Sequence, residues 1–212
     1  HVTAQQGVVT GCDALNAIPQ LQELVLFNIT LTPELLLAVS QSSGIKYLGF
    51  SRLHLDLQAL DAIELLGELA NIEFLGIDTT ETGLERVINA FRDSTSLKGL
   101  VAVSSQYQGR EYSLVEAVSR IKSLETLKIN GVFVSDKEFA LFARLKNLKS
   151  LCVSSAVNIT SDSLASLSSC PIEELHLLNC FNLDAGSAKV IAGLKGVKRV
   201  SLLSSGISHE QL

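Results

Sequence analysis

The sequence predicts an α/β solenoid: a curved, right-handed superhelix of strand–helix units, with a parallel inner sheet of about eight strands and helices on the outside. Three observations carry that expectation. A six-residue pattern, Leu-x-x-Leu-x-Leu with Ile, Val, Phe or Ala allowed, returns eight times in phase. Helix-start chemistry follows it in most units. Apolar residues then recur at helical spacing until the next pattern begins.

The patterns are "LQELVL" from Leu21, "IKYLGF" from Ile45, "IEFLGI" from Ile72, "LKGLVA" from Leu97, "LETLKI" from Leu124, "LKSLCV" from Leu148, "IEELHL" from Ile172 and "VKRVSL" from Val197, so successive starts lie 24 to 27 residues apart. In an extended chain, alternate side chains point to opposite faces. The fourth and sixth positions therefore share one face and the residue between them takes the other, which makes one short strand per unit.

The helix starts come next. Thr32-Pro33-Glu34 places a capping hydroxyl before a proline at the first helical position. Ser135 with Glu138, and Ser208 with Gln211, fit the reciprocal capping box. Asp56, Thr160 or Ser161, and Asp184 hold the matching place in three other units. Inner helix faces are then read as Leu84, Val87, Ile88 and Phe91; Phe139, Phe142 and Leu145; Leu164 and Leu167; and Ala188, Ile191 and Leu194. Strands stack at about 4.8 Å whereas helices need about 10 Å, so the array must curve with its strands inside. Eight strands make a sheet about 40 Å long.

With eight in-phase motifs and their caps, the chain resembles a leucine-rich repeat protein from about Leu15 to its end. The stretches "LCVSSAVNITSDSLASLSSCPIEEL" and "LHLLNCFNLDAGSAKVIAGL" are similar to the cysteine-containing subclass, which is close to the ribonuclease-inhibitor-like one. That resemblance implies a protein-interaction module, and the subclass is common in substrate receptors of ubiquitin ligases. The chain departs from the pattern in having Cys at the post-strand position only at Cys180, with Ile29, Thr80, Ser105, Val132, Ala156 and Ser205 elsewhere. It also carries no adaptor-binding helical segment, so the resemblance implies recognition more than ubiquitin transfer.

No linker interrupts the repeats, which makes residues 1–212 a single leucine-rich repeat domain. The ends look cut: "GCDALNAIPQ" reads as the helix half of an incomplete unit, and Leu212 follows directly on a cap. Either an atypical cap before Leu15 or a longer parent protein is expected. A formal charge of -5 with scattered Lys and Arg leaves no footprint for nucleic acid, and no apolar run is long enough for membrane insertion.

The cysteines read as reduced thiols, with Cys170 buried at the end of its helix, since a whole strand, about 15–20 Å, separates Cys170 from Cys180. This favours a cytoplasmic or nuclear protein. The alternative is an extracellular or cell-surface receptor or adhesion domain, such as one from a parasite or pathogen, with N-glycans at Asn28 and Asn158, each the Asn of an Asn-Ile-Thr triplet. At Asn158 the triplet is also what the repeat itself calls for: a loop Asn, a buried Ile and a capping Thr.

No phosphate-cradling glycine loop, nucleophile elbow or zinc signature occurs in the chain. No enzyme activity, cofactor or metal is therefore expected. His176 is read as facing outward and Cys180 inward, which separates them as ligands. The expected function is a non-enzymatic module that binds a protein or peptide on its concave face, as the substrate-receptor or scaffold part of a larger assembly. Phe27, Tyr47 and Phe74 with Val25 form an expected aromatic patch, beside Gly49 and Gly76, which leave room for a partner. Asp78, Lys128, His176, Leu178 and Arg199 complete the candidate face. A longer rim loop offers Tyr107, Arg110 and Tyr112.

Overall fold

The expected ladder of repeats forms one parallel sheet. The computed structural model describes residues 2–8, 15, 17–56, 58–78, 84–104, 114–131, 134–156 and 159–207. Its strands are β1 (Val2–Val8), β2 (Glu23–Leu31), β3 (Tyr47–Ser51), β4 (His54–Leu55), β5 (Phe74–Asp78), β6 (Gly99–Val103), β7 (Thr126–Asn130), β8 (Ser150–Ser154), β9 (Glu174–Leu178) and β10 (Arg199–Ser201). They follow chain order across the sheet, except that the short β4 pairs with the extended end of β2. The described helices are α1 (Pro33–Ser40), α2 (Ala59–Ala62), α3 (Leu84–Ala90), α4 (Leu114–Arg120), α5 (Asp136–Phe139), α6 (Ser161–Ala165) and α7 (Ala185–Ala192).

Register turns the repeat pattern into a core. Leu24, Leu48, Leu75, Leu100, Leu127, Leu151, Leu175 and Val200 meet one another strand by strand, as do Leu26, Phe50, Ile77, Ala102, Ile129, Val153 and Leu177. All are buried except Val200, at the edge of the sheet, which is 43% exposed. The predicted inner helix faces, from Leu84 to Leu194, are buried against these two rows. Each unit thus hides its apolar residues only by leaning on its neighbours.

Four features differ from the sequence reading. The sheet has ten strands rather than about eight. One addition, β1, lies ahead of Leu15 and continues the parallel ladder, Val2 meeting Leu24; the other is β4. Of the segment read as a helix half, Leu15 is helical and packs against the core, whereas residues 11–14 and 16 lie outside the described set.

Three of the outer helices finish as tighter 3₁₀ turns: Ile63–Glu68, Ala140–Arg144 and Ser166–Ser169. In the last of these, Ser166 and Ser169 donate their hydroxyls to the carbonyls of Ser163 and Ser166, which favours the shorter turn. Finally, Cys170, at the end of that turn, is half-buried rather than buried.

The caps behave largely as expected. Thr32 Oγ1 accepts from the Leu35 N–H, Asp184 Oδ1 from Ser187, and Ser135 and Glu138 form the reciprocal box. Asp56 does not cap α2 directly; it accepts from the Gln58 N–H in a turn that precedes the helix. The box read at Ser208 lies outside the described residues.

A left-handed residue recurs at one position of the repeat, directly after β3, β7, β8 and β9, inside β2 and just beyond β10. Asn28, Arg52, Gly131, Ser155, Asn179 and Ser204 hold the same place in their repeats, with φ between 52° and 71°. The backbone N–H groups of Arg52 and Ser155 donate to the last carbonyls of the strands paired with theirs, Asp78 and Leu178, and that of Asn179 to the Leu203 carbonyl just past β10, each at 2.8 Å. The left-handed turn thus swings the chain outward while extending the ladder by one bond. Gly131 is the tightest case, because a Cβ there would overlap the Ser104 carbonyl oxygen.

A charge ladder runs along the entry edge of the sheet. The residue before β3 and before each of β5 to β10 reads Lys46, Glu73, Lys98, Glu125, Lys149, Glu173, Lys198, alternating in sign from one repeat to the next. Lys46–Glu73, Lys149–Glu125 and Lys198–Glu173 pair at 3.0, 2.7 and 2.9 Å. Hydrogen bonds from Lys149 and Lys198, with their charges, hold the Glu125 and Glu173 carboxyls below the usual range.

Two outcomes follow from these turns and pairs. Gly131→Ala is expected to cost about 2–3 kcal/mol in chemical denaturation, through its left-handed backbone and the Ser104 overlap; a loss under about 0.5 kcal/mol would contradict it. Glu125 and Glu173 have depressed folded-state values, so their stabilisation is complete above the unfolded carboxylate value and is lost as pH falls through the folded one. The thermal midpoint should therefore fall on going from about pH 5 to pH 3, and fall less in Lys149→Ala/Lys198→Ala, as calorimetry at matched ionic strength would read.

Candidate functional site

The residue between the two core rows of each strand points away from the core, so the inner face is built from three lines of side chains crossing the strands. Register sets which of them touch. Tyr47 meets Phe74 across β3 and β5, and Gly49 meets Gly76 two residues further on. The Tyr47 and Phe74 rings stack with centroids 4.9 Å apart and planes only 3° from parallel. Both are half-buried.

The rings lean over glycines. A Cβ at Gly99, beside Phe74 on β6, would overlap the Phe74 ring. At Gly49 a Cβ would lie 3.2 Å from Tyr47 Cε1, and at Gly76 3.5 Å from Tyr47 Oη. Part of the room expected beside Gly49 and Gly76 is therefore taken by the aromatic pair. What is left is an open groove of about 240 Å³, lined by Val25, the two rings, both glycines, Ser51, Asp78, Val101 and Val103. Its surfaces are apolar except at one end, where the Ser51 hydroxyl lies 3.4 Å from Asp78 Oδ2.

The remaining candidate residues divide. Phe27 sits in the middle of β2 with the Arg52 guanidinium 5.3 Å above its ring centroid, and it does not line the groove. Lys128, Cys152 and His176 stand in register across β7, β8 and β9. Glu174 lies 3.8 Å from His176 and also pairs with Arg199. Leu178 is half-buried, while nearby Leu203 and Phe181 are exposed. The structure thus gathers Val25, Tyr47, Phe74 and Asp78 at one site and spreads Lys128, His176, Leu178 and Arg199 along the rest of the face.

Tyr107, Arg110, Tyr112 and Asn158 lie outside the described residues. Asn28, the other sequon residue, is half-buried in the left-handed turn within β2.

Ser51, Val101 and Val103 in the groove, and Gly99 under the Phe74 ring, are residues that the sequence places on the face without marking them out. A signal exists in the run Gly49, Gly76, Gly99, since small residues next to aromatic ones in register let rings lie down. Cys180 is buried with its thiol toward the Leu178 carbonyl, whereas Cys152 is half-exposed on the concave face. Burial pushes the thiol pKa of both upward, which keeps them protonated. Among the described residues, no three His, Cys, Asp or Glu side chains converge to hold a metal ion, and no helix is long and apolar enough to cross a membrane.

No family model matches the chain, and no curated protein matches it. Solved structures do. Internalin C2 of Listeria monocytogenes aligns over 93% of this chain and 76% of its own, with a TM-score of 0.62 and 18% sequence identity. The chain has the leucine-rich repeat fold. Internalin F of the same organism aligns over 93% of this chain and 65% of its own, with a TM-score of 0.52 and 19% identity. At such identities the leucine-rich repeat scaffold is what is shared, and function must be argued from the side chains on it.

The leaning of Phe74 over Gly99 is open to test. Gly99→Ala should tilt the Phe74 ring away, shift the ring-current-displaced Tyr47 proton resonances, and cost about 1 kcal/mol. Unchanged Tyr47 resonances would show that the stack does not rely on that close approach.

Proposed function

We propose that this chain is a non-enzymatic recognition module that binds a protein or peptide across its concave face, anchored on the Tyr47–Phe74 pair. The observation that carries the reading is the stacked pair itself, half-exposed on a rigid sheet beside an open apolar groove. Exposed aromatic side chains held in one conformation lose little entropy on binding and are typical interface anchors. The groove is shallow and lacks paired titratable groups, which suits binding better than chemistry.

The cysteine-containing subclass fits the buried Cys180, whose thiol is spent on a backbone carbonyl. Within that subclass, the receptor or scaffold part of a larger assembly is the role we assign. The substitutions that separate this reading from a passive scaffold are on opposite sides of the solenoid. Proteins crosslinked to the wild-type chain should be reduced about ten-fold or more with Phe27→Ser/Tyr47→Ser/Phe74→Ser, and kept by Leu37→Ser on the outer helix α1. Full retention by the folded triple variant would sink the concave-face reading.

A further inference from the structure

We infer that the groove beside the Tyr47–Phe74 pair is a pocket for a single arginine side chain of the partner, an assignment that rests on the concave-face reading above. The shape comes first. The groove holds about 240 Å³ between the rings on one side and Ser51 and Asp78 on the other, with Gly49 and Gly76 beneath and valines at each end. A helix about 10 Å across does not enter such a space, whereas one long side chain does.

The chemistry then selects the side chain. Asp78 is exposed at the groove's polar end, and among the described residues its carboxylate meets the Ser51 hydroxyl and no cation. Arg52, which follows Ser51 on the strand paired with Asp78, is committed elsewhere: its backbone N–H donates to the Asp78 carbonyl, while its guanidinium lies over Phe27. An aliphatic anchor such as leucine would fill the apolar part but cover Asp78 and strip it of water without supplying a partner.

A basic side chain satisfies both ends. Its methylene stem lies along the valines and glycines, and its charge meets Asp78. Arginine does this better than lysine, because its flat, weakly hydrated guanidinium forks to a carboxylate with two N–H bonds. The net charge of -5 adds a background field that draws basic segments in.

Four capped tripeptides test this, acetyl-Gly-Xaa-Gly-amide with Xaa as arginine, lysine, citrulline or leucine, each titrated into the nitrogen-15-labelled chain while the Gly49 and Gly76 amides are followed. The arginine peptide should move both amides and bind about ten-fold tighter than the citrulline and leucine peptides and measurably tighter than the lysine one. Asp78→Asn, with an otherwise unchanged amide spectrum, should reduce the arginine peptide to the level of citrulline.

Equal binding by leucine, citrulline or lysine overturns the assignment, as does an Asp78→Asn variant that binds arginine undiminished, or an absence of shifts at Gly49 and Gly76 with every peptide. The crosslinking comparison separates the two levels. If partners are lost with the aromatic triple variant but the arginine preference fails, only the pocket's specificity falls; if the triple variant keeps them, the reading beneath it falls as well.

Discussion

The interaction on which this molecule depends is the parallel backbone ladder that sets each repeat against the same position of the next. Its register brings Leu24 to Leu48 and so on to Val200, and with them every core contact that a unit this small could not make alone. The left-handed residue that follows β3, β7, β8 and β9 belongs to the same constraint. It sends the chain outward without ending the hydrogen bonding, and the Arg52, Ser155 and Asn179 amides reach the neighbouring repeat from that conformation.

Because register pairs like position with like position, the binding face is a property of columns rather than of single residues. Tyr47 and Phe74 stack because both occupy the first place of their strands, at a strand spacing close to the ring-stacking distance. The glycines follow from this. Gly49, Gly76 and Gly99 lower the sheet surface where the rings lean, so that aromatic area lies along the face with a groove beside it. Arg52, turned by its left-handed backbone, covers Phe27 and, among the described residues, leaves Asp78 without a basic neighbour.

Much of this was legible in the sequence because the repeat exposes position directly. The phase of the eight motifs locates strands β2, β3 and β5 to β10, and Thr32, Ser135 and Asp184 mark helix starts through hydroxyl or carboxylate chemistry that has few other uses at that spacing. Strand β1 was not legible, since "VTAQQGV" lacks the apolar alternation of the others and pairs through its backbone. The 3₁₀ ending at Ser166–Ser169 was hidden for a related reason: serine back-bonding changes the turn without changing the apolar spacing that marks a helix. At the site, the partners of the aromatic column could be read from register, but the Arg52 cover on Phe27 could not, because an arginine in a left-handed turn leaves no sequence signature.

The alternating edge from Lys46 to Lys198 has a consequence for how such a chain can lengthen or shorten. Deleting one interior repeat, or copying one, would set lysine against lysine or glutamate against glutamate at the join; adding or removing two restores the order. Each exposed pair is worth little, yet the parity is the same along all seven positions. In its electrostatics this solenoid counts in twos, so the neutral step in its growth by duplication is a pair of repeats, although its backbone and core count in ones.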